Sequence, residues 1–345
     1  PGKCVYCAQD RQTGRESSGA QEIAAEARQR LESLPPCGEG EERELAFYGG
    51  TFTALAPRDL DACLDMADSL RRDGCITRFR CSTRPDRLDA ALLARLRRHG
   101  CRTVELGIQS FSDTALQASE RHYSGRQATE ACRLVRDAGL ALGVQLLPGM
   151  PGHQPEDFLA DVRRALDLGA DMLRFYPCLV LAGTELARRW QQGLYTPWPL
   201  PRTLSLLARG WLYARRAGVP VIRMGLAPEP GMEAALLAGP ADRNLGGRVL
   251  GRALWLHVCA CLLRAQGDDA ARSEVRAATL LDALLAGGKA PAGLPRAQAL
   301  YLPRSCQGFF RGPGDELGTA WAALGITRRN LVWTAGQAAS LHLDA

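Results

Sequence analysis

From residue 18 to about residue 225 the chain alternates two apolar patterns, one repeating every three or four residues and one short and unbroken. The first pattern predicts amphipathic helices and the second predicts buried strands. "SSGAQEIAAEARQRLESLP" sets Ile23, Ala27, Leu31 and Leu34 on one face, with Ser18 and Gln21 placed for a capping box. The strand "ELAFYGG" follows. "LDACLDMADSLRRDG" then carries Leu60, Cys63, Leu64, Ala67 and Leu70 on one face and stops at Gly74. The same unit recurs as strand "RFRCS" with helix "LDAALLARLRRHG", and as "RTVELGIQS" with "QATEACRLVRDAG". It recurs again as "LALGVQLLPG" with "PEDFLADVRRALDLG". "DMLRFYPCLV", a helix within 202–217 and "VPVIRMG" complete the series.

Strands alternating with glycine-stopped helices predict a parallel sheet with right-handed crossovers, and this many units predict an α/β barrel or partial barrel. The polar and glycine-rich signals gather where strands end: Tyr48-Gly49-Gly50-Thr51, Ser82-Thr83-Arg84, Gly107-Ile108-Gln109-Ser110, Gln145 to Gly149, and Tyr176-Pro177. In such barrels the C-terminal rim carries the active site. Residues 226–254, rich in Gly, Pro and Ala, read as a loop-dominated extension. "DDAARSEVRAATLLDALLAG" reads as a helix, "GKAPAGLP" as a linker, and residues 314–345 as a helix followed by short strands.

Composition narrows the setting. Hydrophobic residues make up 46% and charged residues 23%, which suits a packed core. No unbroken apolar run approaches the roughly 20 residues of a bilayer span, so no membrane association is expected. The net charge of +6 comes almost wholly from arginine and would suit a nucleic-acid partner. Those arginines alternate with Asp and Glu, however, and form no single basic stripe. The twelve cysteines lie at scattered spacings, unlike a secreted disulfide framework, and point to a reducing cytoplasm. Cys63, Cys101, Cys132 and Cys178 fall in apolar stretches and read as small buried hydrophobes.

Only Cys4 and Cys7, in "PGKCVYC", have a spacing with chemical meaning. They sit ahead of a helix, where the loop of a preceding strand would place them on the same rim. Thiolates there could hold zinc or an iron–sulfur cluster, or act as a redox dithiol. Zinc would need further ligands; "CAC" at Cys259 and Cys261 has the wrong spacing, and His122 or His153 would be improvised partners. A dithiol normally opens a helix in a much smaller domain.

The chain resembles the radical S-adenosylmethionine (SAM) superfamily, and within it the radical SAM domain of Elongator-type catalytic subunits. The family motif is C-x-x-x-C-x-x-C with an aromatic residue before the last cysteine. "PGKCVYC" is that motif without its first cysteine, whose position would be the one before Pro1. "YGGTFTAL", "STRPD", "VELGIQS", "RHYSGRQATEACRLVRDAGLALGVQLLPGMPG" and "FYPCLVLAGTELARRWQQGLYTP" are similar to the family's further segments, in order. The resemblance implies a partial (β/α)6 barrel with its first strand missing, followed by a small C-terminal α+β extension. It divides the chain into a core over 1–225 and an extension over 226–345. No acetyltransferase signature of the Arg/Gln-x-x-Gly-x-Gly/Ala type is seen.

The same resemblance implies a 4Fe–4S cluster on Cys4 and Cys7 plus the absent cysteine, with SAM on the open iron and an electron donor from the cytosol. Reduction would cleave SAM to methionine and a 5′-deoxyadenosyl radical. The implied cofactor contacts are Tyr6 as the motif aromatic, Gly49 and Gly50 at the methionine amino group, and Thr51 where many relatives carry Glu. Ser82 and Arg84 would face the ribose or carboxylate, Arg121 the carboxylate, and Gln109 and Gln145 the cofactor from neighbouring strand ends. Leu146 and Leu147 fit core packing better than an adenine contact. Glu105 faces either the barrel interior or the rim, depending on register. Three functions stay open: SAM chemistry on tRNA, SAM chemistry on a small molecule of the porphyrinogen kind, and a cluster-free barrel that binds SAM or RNA.

Overall fold

The structure, a computed structural model, describes residues 4–7, 20–32, 35, 37–38, 40–48, 50–226, 230–290, 294, 296–336 and 340–343. Ser18, Leu34 and Gly49 lie outside these residues, as do the side chains of Gln21 and Ile23. The chain divides into two compact units, Pro1–Trp198 with Ala214–Ala241, and Pro199–Tyr213 with Asp242–Ala345.

The first unit is built on a six-stranded parallel sheet that forms a curled half-barrel. Its strands are β1 (Glu44–Phe47), β2 (Arg78–Thr83), β3 (Cys101–Gln109), β4 (Ala141–Leu146), β5 (Met172–Phe175) and β7 (Val221–Met224), in the order β1-β2-β3-β4-β5-β7. α1 (Ala20–Glu32) precedes them, and between them run α2 (Pro57–Arg72), α3 (Ala90–Arg98), α4 (Asp113–Ala118), α5 (Gly125–Asp137), α6 (Pro155–Asp167) and α7 (Glu185–Gln191). Three of these helices, α3, α5 and α7, start where short polar side chains cap them. Asp89 accepts the Leu92 amide, Thr184 accepts the Ala187 amide, and Ser124 forms a full capping box with Gln127. They stop where glycine takes the left-handed conformation, as at Gly139 (φ 68°).

Strand alternation sorts the side chains. Phe79, Cys81, Leu106, Val144, Leu146, Leu173 and Phe175 are buried on one face, against which α2, α3, α5 and α6 pack. The register aligns Ser82 with Glu105 and Gly143, and Gln145 with Arg174. The other face, the barrel lumen, therefore carries Glu44, Arg78, Arg80, Ser82, Glu105, Gln145 and Arg174. Register thus settles the orientation of Glu105: it points into the lumen and is fully buried. The adjacent strand makes room for it by having glycine, since a Cβ on Gly143 would lie 2.7 Å from Glu105 Cγ.

Two expectations are corrected. "DMLRFYPCLV" is not one strand: β5 ends at Phe175, and β6 (Val180–Leu181) pairs antiparallel with β8 (Leu236–Ala238). Pro177, which has no amide hydrogen for a ladder, lies at the break. Residues 226–254 are not loop-dominated either: they hold α9 (Pro230–Ala235), β8 and the start of α10 (Leu245–Ala265). The glycines there serve close packing. A Cβ on Gly251 would lie 2.4 Å from the Phe309 carbonyl oxygen, so this glycine permits backbone contact inside a helix.

In the second unit, α8 (Leu200–Arg216) contributes its first residues. The unit otherwise comprises α10, α11 (Ala270–Leu285), α12 (Gly318–Ala323) and a small sheet of order β10-β9-β11. Those strands are β9 (Ala297–Pro303), β10 (Leu331–Thr334) and β11 (Ser340–Leu343); β9 had no counterpart in the sequence reading. Among the described residues one helix, α10, has the length and mean hydropathy (1.2) to cross a bilayer. It is built as a core helix: Val249, Trp255, Cys259 and Leu263 are buried, and Arg248 and Arg252 pair with Glu316 at 2.6 and 2.8 Å.

Substituting Gly143→Ala forces the new methyl against Glu105. A destabilisation of roughly 1–3 kcal/mol is expected from such overpacking, read from the midpoint of urea unfolding.

Candidate functional site

Two groups of side chains stand on the lumen face toward the strand ends. The lower one surrounds Glu105. Its Oε1 accepts from the Tyr48 hydroxyl at 2.5 Å, from Arg174 at 3.1 Å and from Arg80 at 3.3 Å. Its Oε2 meets Arg174 Nε at 2.6 Å and accepts from Gln145 Nε2 at 3.2 Å. The same Gln145 amide donates to Ser82 Oγ at 3.1 Å, so two of the expected cofactor residues are brought together. Arg174 also donates to the hydroxyls of Tyr48 (2.6 Å) and Tyr176 (3.1 Å), and Arg80 is paired again with Glu44.

Burial alone would raise the Glu105 pKa. The Tyr48 hydrogen bond and the Arg174 guanidinium outweigh it and hold the carboxyl below its ordinary 4.5. The complementary effect falls on Tyr48, whose phenol is pushed up to about 12 by burial and by the carboxylate it donates to.

The second group gathers around Arg121, which is buried. Its Nε donates to the Tyr123 hydroxyl at 2.8 Å, Nη2 to the Gly107 carbonyl at 2.5 Å, and Nη1 to the Cys4 thiol at 3.1 Å. Tyr123 in turn donates toward the carbonyls of Gly107 (3.0 Å) and Ile108 (2.8 Å). One arginine therefore ties the first cysteine to the end of β3, using only part of its five-donor fork. The cysteine loop is also held by backbone: the Leu186 amide at the start of α7 donates to the Val5 carbonyl at 2.8 Å. Tyr6 follows, and its buried hydroxyl has no hydrogen-bond partner among the described residues. Burial raises its pKa well above the ordinary phenol value, with Arg121 opposing. Arg84 forms a fork to Asp86 at 2.9 and 3.0 Å and lies 5.9 Å from the Tyr123 ring centroid.

The remaining expected residues sit on the same rim. Gln109 ends β3 with φ 65°, a left-handed conformation that a non-glycine residue rarely adopts, and the β3–β4 register shifts there. Its side chain folds back toward Gly107, and its carbonyl accepts from the Leu147 amide at 2.9 Å. Thr51 precedes a short 3-10 turn, Phe52–Ala54, and Gly50 has φ 155°. Cys7 is half-buried, one turn beyond Cys4. Leu146 is core, as expected.

Sequence reasoning missed Tyr48 and Arg174 as partners, Arg80 and Tyr123 altogether, and the clamp around His153. There the Gly149 amide donates to Nδ1 at 3.3 Å, leaving Nε2 to donate to Asp161 Oδ2 at 3.1 Å. Asp161 also accepts the Phe111 amide at 2.8 Å, and Ser110 Oγ lies 3.5 Å from the same Nε2. Serine, histidine and aspartate meet here, but serine and aspartate share one ring nitrogen. No proton relay through the ring is built, and the set locks the loops after β3 and β4 together. His153 is thereby committed elsewhere than to a cysteine. Among the described residues no group of three His, Cys, Asp or Glu could hold a metal, and Cys261 contacts His257 and Arg264 rather than Cys259.

The donor chemistry at Cys4 and Cys7 suits a thiolate-bound anionic group. Two thiols lie on one loop, a guanidinium is beside one of them, and the buried Tyr6 hydroxyl has no partner among the described residues. A three-thiolate site requires one donor more than these residues supply.

Residues 1–165 match the model of the radical SAM superfamily, and residues 170–252 match the radical SAM C-terminal domain. A tRNA uridine(34) acetyltransferase of Methanocaldococcus infernus is 29% identical over a 244-residue alignment covering 60% of this chain and 46% of that protein. Elongator complex protein 3 of Drosophila melanogaster is 26% identical over 247 residues, covering 60% and 44%. The chain thus spans about half the length of the curated relatives it matches. The fold is shared with the archaeal Methanocaldococcus infernus Elp3 lacking residues 1–46, with a TM-score of 0.55 at 24% identity over 67% of this chain and 57% of that one.

Glu105→Gln leaves Arg80 and Arg174 facing a neutral amide. A loss on the order of 3 kcal/mol is expected at neutral pH, typical of breaking a buried ion pair. Because the native pKa is depressed, that contribution is complete above the unfolded carboxyl value and fades as pH falls through the native one. Urea midpoints of wild type and variant should therefore converge as the pH drops below 4.5.

Proposed function

This chain belongs to the radical SAM superfamily, and we propose that it uses a 4Fe–4S cluster to cleave SAM and acts on an RNA, with the chemistry in residues 1–225. Cys4 and Cys7 supply two thiolate ligands, and the third is expected from the position immediately before Pro1. When bound, cluster and SAM would supply a 5′-deoxyadenosyl radical; the protein's own part is to bind, orient and exclude water.

The observation that carries this reading is Arg121. A buried guanidinium 3.1 Å from a motif cysteine, with its fork partly uncommitted, can hold a thiolate and a carboxylate side by side. Arg84, steadied by Asp86, is the second donor for that carboxylate. Ser82 and Gln145, already hydrogen-bonded to each other, offer polar atoms to a ribose. Gly49 and Gly50 let backbone approach the amino group, Thr51 flanks them, and Gln109 and Tyr6 line the remaining sides. The RNA substrate is supported by the similarity to tRNA uridine(34) acetyltransferases. An electron donor from the cytoplasm, and no membrane, complete the proposal.

The test is anaerobic iron–sulfide reconstitution of the chain extended upstream of Pro1, with dithionite and SAM, followed by chromatography for 5′-deoxyadenosine. The wild-type sequence should form it and Cys4→Ala should not. Arg121→Gln should weaken SAM binding roughly tenfold to a hundredfold, the worth of a charge-assisted hydrogen bond. A Cys4→Ala protein that still produces 5′-deoxyadenosine would contradict the assignment.

A further inference from the structure

Tyr48 follows β1, two residues before Gly50, and is half exposed (50%), although two side chains hold its hydroxyl. Its hydroxyl donates to Glu105 at 2.5 Å and accepts from Arg174 Nη2 at 2.6 Å. The Arg174 guanidinium also lies 5.0 Å from the ring centroid and covers the ring on that side. Single exposed apolar residues on a surface need no explanation. Here a half-exposed aromatic ring is fixed at its polar tip and over one face, two residues before Gly50 of the proposed SAM site. Its neighbours on the lumen face are Ser82 and Gln145. Arg174 covers one side of the ring; the polar partners take away its freedom and leave half of the residue exposed. A contact surface prepared in this way loses little side-chain entropy when a flat partner settles on it.

Flat partners of an RNA are its unpaired bases, which proteins take up by stacking on aromatic rings and on guanidinium planes. We propose that Tyr48 is the stacking platform for one unpaired nucleobase of the RNA substrate, giving the order guanidinium, phenol ring, base at the mouth of the lumen. This inference rests on the RNA reading above and adds the position of the base. Stacking is tolerant of base identity, so Tyr48 would fix where the base lies, while the polar groups of the lumen would distinguish which base it is.

The test uses the full chain and an RNA stem–loop carrying fluorescent 2-aminopurine at an unpaired loop position. Binding to the wild-type protein should change the 2-aminopurine emission as the base stacks. Tyr48→Leu should lose that change and weaken binding roughly tenfold to a hundredfold, the range for removing one base–aromatic stack. Tyr48→Phe, which keeps the ring and loses the hydroxyl, should retain the emission change. Tyr48→Trp guards against a Leu variant that fails to fold, and it should retain both binding and the signal. Equal affinity and an unchanged signal in Tyr48→Leu would overturn the platform and leave the RNA reading standing. A wild-type chain that binds no stem–loop would overturn the RNA reading and this inference with it.

Discussion

A carboxylate fully buried in the lumen of a half-barrel must be neutralised where it stands, and much of the first unit's polar architecture follows from that requirement. Glu105 is neutralised by residues that reach it from four other strands: Tyr48 from the end of β1, Arg80 from β2, Gln145 from β4 and Arg174 from β5. Gly143 is the concession on β4 that lets its side chain in. Such a network carries little net stability compared with an apolar filling of the same space. Its consequence is positional: strands that could slide past one another are pinned in register across the lumen.

The rim inherits that precision. Gln145 holds Ser82 because Glu105 holds Gln145, and Tyr48 is fixed two residues before Gly50 by the same carboxylate. Two residues further along β3, the Gly107 carbonyl receives Arg121 and Tyr123, and Arg121 reaches Cys4. The cysteine loop is therefore referred to the end of β3, the strand that carries Glu105. The left-handed Gln109 and the His153–Asp161 clamp hold the loops that follow β3 and β4. Local strain and buried polar groups are concentrated here, where a site that must orient a reactive ligand would need them.

The sequence made the helices, most of the strands and the side of the barrel carrying the site legible, because those depend on local periodicity and on glycine stops such as Gly139. It could not place Glu105, whose orientation is a matter of register between strands far apart in the chain. Arg80 and Arg174 stayed hidden for the same reason: an arginine in an otherwise apolar strand becomes meaningful only beside the carboxylate it meets. Tyr123 had a weak local signal, two residues after Arg121 in "RHYSG". In 226–254 the glycines concealed a helix, because composition does not distinguish a flexible glycine from one, like Gly251, that admits a neighbouring backbone.

We propose that Cys4 and Cys7 belong to an open-iron cluster site whose neighbour is SAM. The most direct measurement is the electron paramagnetic resonance spectrum of the reduced, reconstituted protein extended upstream of Pro1, recorded with and without SAM. A 4Fe–4S signal that shifts when SAM is added is expected, together with roughly four irons per chain. A cluster signal indifferent to SAM, or no cluster with the upstream residues present, would contradict it.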